Sequence, residues 1–188
     1  MKLLKRKREK DGDALLKALM SEPTSEELLS AFKHNQFGGF CLQANDLEKS
    51  EKHLFQAYEI MYEKWKIPTS NILMNLGNLY GQKRDYKKAI EYYEKVLAVT
   101  PHNPDNPKTL PEDCPFDTKK YGQIIFAGKI NSEAVYIDVH TNMSVMLLQV
   151  DEIEKAFKYC EKALELQPDN YESIVNFTDI LRQMGRKE

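Results

Sequence analysis

The sequence predicts an all-α fold, an α-solenoid of about three and a half helical hairpins with an N-terminal capping helix and a long inserted loop. Three observations predict it: prolines that divide the chain, apolar side chains at three- and four-residue steps between them, and internal self-similarity. Five of the eight prolines, Pro101, Pro104, Pro107, Pro111 and Pro115, fall within 15 residues, and the others are Pro23, Pro68 and Pro168. Proline lacks an N–H and clashes with the preceding turn, so it bounds helices rather than sitting inside them. The stretches 71–80, 86–99, 133–148, 152–166 and 171–184 carry the helical spacing. Few polar residues join them, Gly81 to Asp85 in one case and Gln149 to Asp151 in another, which makes antiparallel hairpins.

The totals agree with this class. At 188 residues, 41% hydrophobic and 30% charged, the chain can bury one core and still solvate its surface. No apolar run reaches the roughly 18 residues of a membrane span. Three separated cysteines, Cys41, Cys114 and Cys160, make no disulfide framework and point to a reducing compartment, so a cytoplasmic protein is expected. The net charge is −2, yet residues 1–10 hold six cations (Lys2, Lys5, Arg6, Lys7, Arg8, Lys10) against Glu9. That basic tip admits nuclear import or nucleic-acid contact as one reading and a solvated tail as the other; the second is taken, because the rest of the chain is acidic.

In chain order, residues 1–30 hold the basic tip and Asp13 to Met20, an amphipathic segment expected to cap the first repeat. Ser25, Glu26 and Glu27 then open a helix, with an N-cap and acids in the first turn. Residues 31–103 form two repeats, and 104–136 hold the inserted loop and the start of a long helix. Residues 137–188 form a third repeat and the first helix of a fourth. The self-similarity is direct: 34–57 aligns without a gap on 140–163, with His34 on His140, Leu42-Gln43 on Leu148-Gln149, Glu48-Lys49 on Glu154-Lys155 and Ala57 on Ala163. A copy between them carries Leu73, Leu76-Gly77, Tyr80, Ala89, Tyr93 and Pro101. The third copy has His140, Met143-Ser144, Leu147, Ala156, Cys160, Ala163 and Pro168. The first has His34, Phe37-Gly38, Cys41, Ser50, Leu54 and Ala57, with Tyr62 in place of a proline, and the terminal half-copy has Ile174, Phe177-Thr178 and Leu181.

In these positions the chain resembles the tetratricopeptide repeat family, whose 34-residue pattern spaces a large residue, Leu-Gly, an aromatic, Ala, an aromatic and Pro in this way. The resemblance covers about two thirds of the chain and is loosest in the first copy. It implies a stack of hairpins that docks a partner in its concave groove. The small residues have a physical reading of their own: Gly38, Gly77, Ser144 and Thr178, with Ala57, Ala89, Ala156 and Ala163 on the second helices, mark close helix approach. No hairpin alone can bury its apolar face, so neighbours must stack. The helix 171–184 is left without a second helix, and its apolar residues do not make a polar cap; the 188 residues are therefore expected to be a piece of a longer chain.

First helices line the concave face of such a stack, so polar residues that recur along them are the candidates. One column holds Gln36, Asn75, Asn142 and Asn176, and the helix ends hold Gln43, Gln82, Gln149 and Gln183. Side-chain amides donate and accept, and a ladder of them can hold an extended peptide backbone whatever its sequence. The expected peptide-binding set is Asn71, Asn75, Asn78, Gln82, Asn142, Gln149, Asn176, Asp179 and Gln183. The competing reading has these amides bonded to the neighbouring helix or capping turns. Family members that clamp acidic C-termini need Lys and Arg on the concave helices. Here Met74, Asn78, Asp138, Asn142, Glu172 and Asn176 stand on that face. A neutral or basic partner peptide is expected instead.

No phosphate loop, nucleophile elbow or His-Glu metal motif is present, so no catalytic residue, cofactor or metal is expected. His34 and His140 share a structural column and read as packing residues, and His102, Asp113 and Cys114 match no metal-ligand spacing. The function read from sequence is a protein-interaction adaptor. Two alternatives stay open: the targeting domain of a larger enzyme, and a nucleic-acid-associated factor using residues 1–10.

Overall fold

The computed structural model describes residues 25–65, 69–99 and 132–185. Among these are seven α-helices and no strand: α1 (Ser25–Gln43), α2 (Leu47–Tyr58), α3 (Ser70–Gln82), α4 (Tyr86–Val99), α5 (Ser132–Gln149), α6 (Ile153–Leu166) and α7 (Tyr171–Met184). The all-α solenoid expected from the sequence is the fold observed. The capping segment 13–20, the basic tip and the insertion lie outside the described residues.

Each hairpin turns in the same way because each places the same backbone at the same repeat position. Asn45, Arg84 and Asp151 have φ of 59°, 61° and 64°, the left-handed conformation that ends a helix. The following amide then bonds back five residues: Asp46 to Cys41 (2.8 Å), Asp85 to Tyr80 (2.9 Å) and Glu152 to Leu147 (3.0 Å). Asp46 Oδ1 accepts from the Lys49 amide and Asp85 Oδ1 from the Lys88 amide, both at 3.2 Å, which caps α2 and α4.

The two helices of a hairpin meet where the small residues stand. A methyl group at Gly77 would fall within the Tyr93 ring, and one at Gly38 would come to 2.7 Å from Leu54 Cγ. Tyr93, Leu54, Ala57, Ala89, Ala156 and Ala163 are buried, and with Leu73, Leu76, Leu79, Val96 and Met143 they form the core. Burial pushes the Tyr93 phenol pKa far above its ordinary value, and its hydroxyl donates to Asn78 Oδ1 at 2.7 Å. Hairpins then stack: α3 packs on α1 and α2, α5 on α3 and α4, and α7 on α5 and α6.

The first repeat departs from the others where the sequence lacks its proline. α2 runs on through Tyr62 as a π-helical stretch, Glu59–Lys64, and Lys64 reaches back to an ion pair with Glu27 near the start of α1. His34 and His53 form an interhelical pair, Nδ1 to Nδ1 at 2.8 Å. Ring centroids 5.0 Å apart and a 23° interplanar angle place the rings nearly coplanar and edge to edge, so one proton lies between the two nitrogens. Phe37 packs edge-on against His53.

Gly77→Ala should lower stability by about 1–3 kcal/mol, the scale of core overpacking, read as a drop in the urea midpoint. Arg84→Gly should raise it by up to about 1 kcal/mol by relieving a left-handed non-glycine residue. Burial, then His34, then Lys52 hold His53 below its ordinary pKa. Stability is therefore full above the unfolded histidine value of about 6.5 and falls as pH drops through it, until His53 protonates in the fold. His53→Gln should flatten that part of the melting-temperature profile.

Candidate functional site: the concave cleft

The first helices α1, α3 and α5 enclose an open cleft of about 330 Å³ lined by Asn35, Gln36, Gly39, Phe40, Gln43, Asn71, Met74, Asn75, Val135 and Asp138. Its floor is amide, its walls hold three apolar side chains, and no cation lines it. Gly39 opens the α1 side: a methyl there would sit 3.7 Å from Asn75 Nδ2.

The structure splits the expected site residues into three groups. Asn71 and Asn75 line the cleft together, Asn71 exposed and Asn75 half-buried. Asn78 and Asn142 meet one tier further along, where Asn142 Nδ2 donates to Asn78 Oδ1 at 3.2 Å. Gln82 and Gln149 are exposed at the ends of α3 and α5, outside the cleft lining, while Asn176, Asp179 and Gln183 lie half-buried on α7. Asp179 is paired with Arg182 at 2.8 Å, which offsets its charge.

The amides have an internal duty as well. Asn75 Nδ2 donates to Asn35 Oδ1 at 3.0 Å, joining α1 to α3. Asn142 to Asn78 joins α3 to α5, and Thr141 Oγ1 with Ser173 Oγ at 2.7 Å joins α5 to α7. Each joint between successive repeats thus carries one side-chain hydrogen bond between first helices. Asn78 Oδ1 accepts from both Tyr93 and Asn142, which fills its two lone pairs. Asn75 and Asn142 each keep a second N–H and a carbonyl oxygen for other partners, and Asn71 makes no side-chain hydrogen bond among the described residues.

The acidic side of the cleft is electrostatically primed. Partial burial, then the Glu172 carboxylate of the next repeat, raise the Asp138 pKa above its ordinary value. A cation brought beside them relieves that repulsion. Sequence reasoning missed Asn35, Phe40 and Val135. Asn35 shares its column with Met74 and Thr141, and Phe40 stands in a column filled elsewhere by buried Leu79 and Ile180, so neither column reads as polar or exposed. Phe40 is nevertheless 64% exposed. Among the described residues no group of three or more His, Cys, Asp or Glu could hold a metal, and no helix is long and apolar enough to cross a membrane.

Tetratricopeptide repeat models match residues 70–103 and 137–170, the hairpins α3–α4 and α5–α6. These two hairpins are tetratricopeptide repeats. The first matched segment begins at the start of α3 and the second at Ile137, within α5. Known relatives are distant. RNA polymerase II-associated protein 3 of Mus musculus is 29% identical over 119 residues, 62% of this chain and 18% of the relative. The Homo sapiens protein of the same name is 27% identical over 121 residues, with the same shares. Photosystem I assembly protein Ycf3 of Acaryochloris marina is 23% identical over 179 residues, 93% of this chain and 90% of the relative. The chain therefore spans less than a fifth of the RNA polymerase-associated relatives. Tetratricopeptide repeats serve protein–protein interaction in general.

Losing the Asn75 to Asn35 bond through Asn75→Ala should cost about 1 kcal/mol of stability, whereas Asn71→Ala, which breaks no internal bond, should leave it within about 0.5 kcal/mol. Paired thermal melts of the two variants check the difference.

Proposed function

We propose that this chain is a non-catalytic adaptor that holds an extended segment or helix of a partner protein in the concave cleft of α1, α3 and α5. The observation that carries the reading is the cleft itself: open, floored with amides that keep unused donors and acceptors, and bordered by Asp138 and Glu172 with no cation. Amides supply sequence-tolerant contacts to a peptide backbone, Phe40, Met74 and Val135 supply apolar footholds, and the carboxylates favour a neutral or basic ligand. A chaperone-type acidic tail would meet repulsion there. The names of the relatives, one associated with RNA polymerase II and one a photosystem I assembly protein, support a role in bringing proteins together. In this reading Asn71, Asn75 and Asp138 touch the ligand, Asn78 and Asn142 set the repeat spacing beneath it, and Gln82, Gln149, Asn176, Asp179 and Gln183 extend the contact surface past the cleft. The reading places the protein in the cytoplasm, with the 1–10 tip as a solvated tail.

The test is a peptide array spanning acidic, neutral and basic sequences, followed by titration of the best binders. Asn71→Lys with Asp138→Lys should weaken capture of basic peptides at least tenfold and leave the melting temperature nearly unchanged. Unaltered affinity in that variant, or a preference for acidic peptides in the parent chain, would remove the cleft from consideration.

A further inference from the structure

We propose that the cleft of α1, α3 and α5 takes one arginine side chain of the bound segment, with Asp138 receiving the guanidinium and Phe40 lying against its face. The assignment rests on the cleft as the docking site for a partner segment and names the group recognised there. Elsewhere the chain satisfies the same kinds of group by itself. Its aromatic faces carry its own lysines: Lys88 Nζ lies 4.0 Å from the Tyr80 ring centroid, Lys95 Nζ 4.7 Å from that of Tyr92 and Lys64 Nζ 5.1 Å from that of Trp65. Its carboxylates carry cations too, with Glu51 on Lys83 at 2.7 Å, Asp46 on Lys49 at 2.7 Å and Glu152 on Lys155 at 3.1 Å. In the cleft both kinds of group stand open. Phe40 has no ring or cation against it among the described residues, and Asp138 makes no hydrogen bond or ion pair among them.

Charge decides the sign of the occupant. Partial burial, then the Glu172 carboxylate, disfavour the ionised form of Asp138, and a cation at its oxygens offsets both. An acidic side chain would add a third carboxylate instead. The number and plan of the donors then decide between the two long cations. Gln36, Gln43 and Asn71 line the same cleft, and their side chains form no hydrogen bond among the described residues, so their amide oxygens are open acceptors. A guanidinium carries five N–H donors in one plane; it takes a carboxylate through two of them and keeps three for such amides. An ammonium has three donors in all, holds its water more tightly and has no flat face to lay on a ring. Met74 and Val135 supply apolar wall for the methylene stem. At about 330 Å³ the cleft is at the low end of ligand sites, a size that suits one long side chain and its adjoining backbone.

Three heptapeptides serve as probes, alternating serine and alanine around a central arginine, lysine or citrulline, the last being an uncharged match to arginine in shape. Fluorescence anisotropy against the full 188-residue chain should show the arginine peptide binding at least tenfold more tightly than the citrulline peptide and at least threefold more tightly than the lysine peptide. Asp138→Asn should bring arginine to within about twofold of citrulline. Phe40→Leu, which keeps apolar bulk and removes the ring, should bring arginine to within about twofold of lysine. Neither side chain belongs to the core, so helix content and melting temperature should stay at parent values in both variants. Equal binding of the arginine and lysine peptides, or of the arginine and citrulline peptides, overturns the assignment, and the cleft reading survives it if Asn71→Lys with Asp138→Lys still removes capture. An arginine preference that persists unchanged in Asp138→Asn or in Phe40→Leu puts the guanidinium elsewhere and overturns it as well. Capture of none of the three peptides overturns the assignment and the cleft reading together.

Discussion

The contact between a glycine on one helix and a large ring on the next governs this molecule. Because Gly77 carries no side chain, Tyr93 can lie across α3, and the separation and tilt of the two helices follow from the thickness of that ring. Tyr93 is held from its far end as well, by Asn78, so its position is set both by packing and by a hydrogen bond. With the hairpin geometry settled, the apolar residues on its two outer sides, Leu79 and Val96 among them, have no cover except the neighbouring hairpin. Stacking is therefore compulsory, and a stack of identical hairpins must curve and leave a hollow on the side of its first helices.

Much of this was legible in the sequence because the contacts that define a repeat are local and periodic. Gly77, Ala89 and Tyr93 lie within one hairpin, so their spacing alone carries the information, and the substitution of Tyr62 for a proline marked the copy that departs. What the helix does there was not legible: it continues as a π-helical stretch, and at its end Lys64 pairs with Glu27, 37 residues away in sequence. The left-handed turn residue is an asparagine in the first hairpin, a natural choice, but an arginine in the second, where nothing about the residue type announces the backbone.

The site was legible in part, for the same reason. Asn75 and Asn142 occupy one column and stand out as amides in helix interiors. Their acceptors, Asn35 and Asn78, come from two different columns; Asn78 was among the expected residues, whereas Asn35, in a column with Met74 and Thr141, was missed. His53 was missed likewise: His34 recurs as His140, but the residue aligned with His53 is Tyr159, whose ring packs on His140 with centroids 5.4 Å apart, while His140 Nδ1 meets the Tyr136 carbonyl oxygen instead. Interactions between copies are set by the stacking geometry, which a one-dimensional period does not contain.

The amides that floor the hollow are the same groups that tie one repeat to the next. Whatever pulls the Asn75 amide away from Asn35 therefore also loosens the hinge between the first two hairpins, so the lining of the hollow and the bend of the stack cannot change independently.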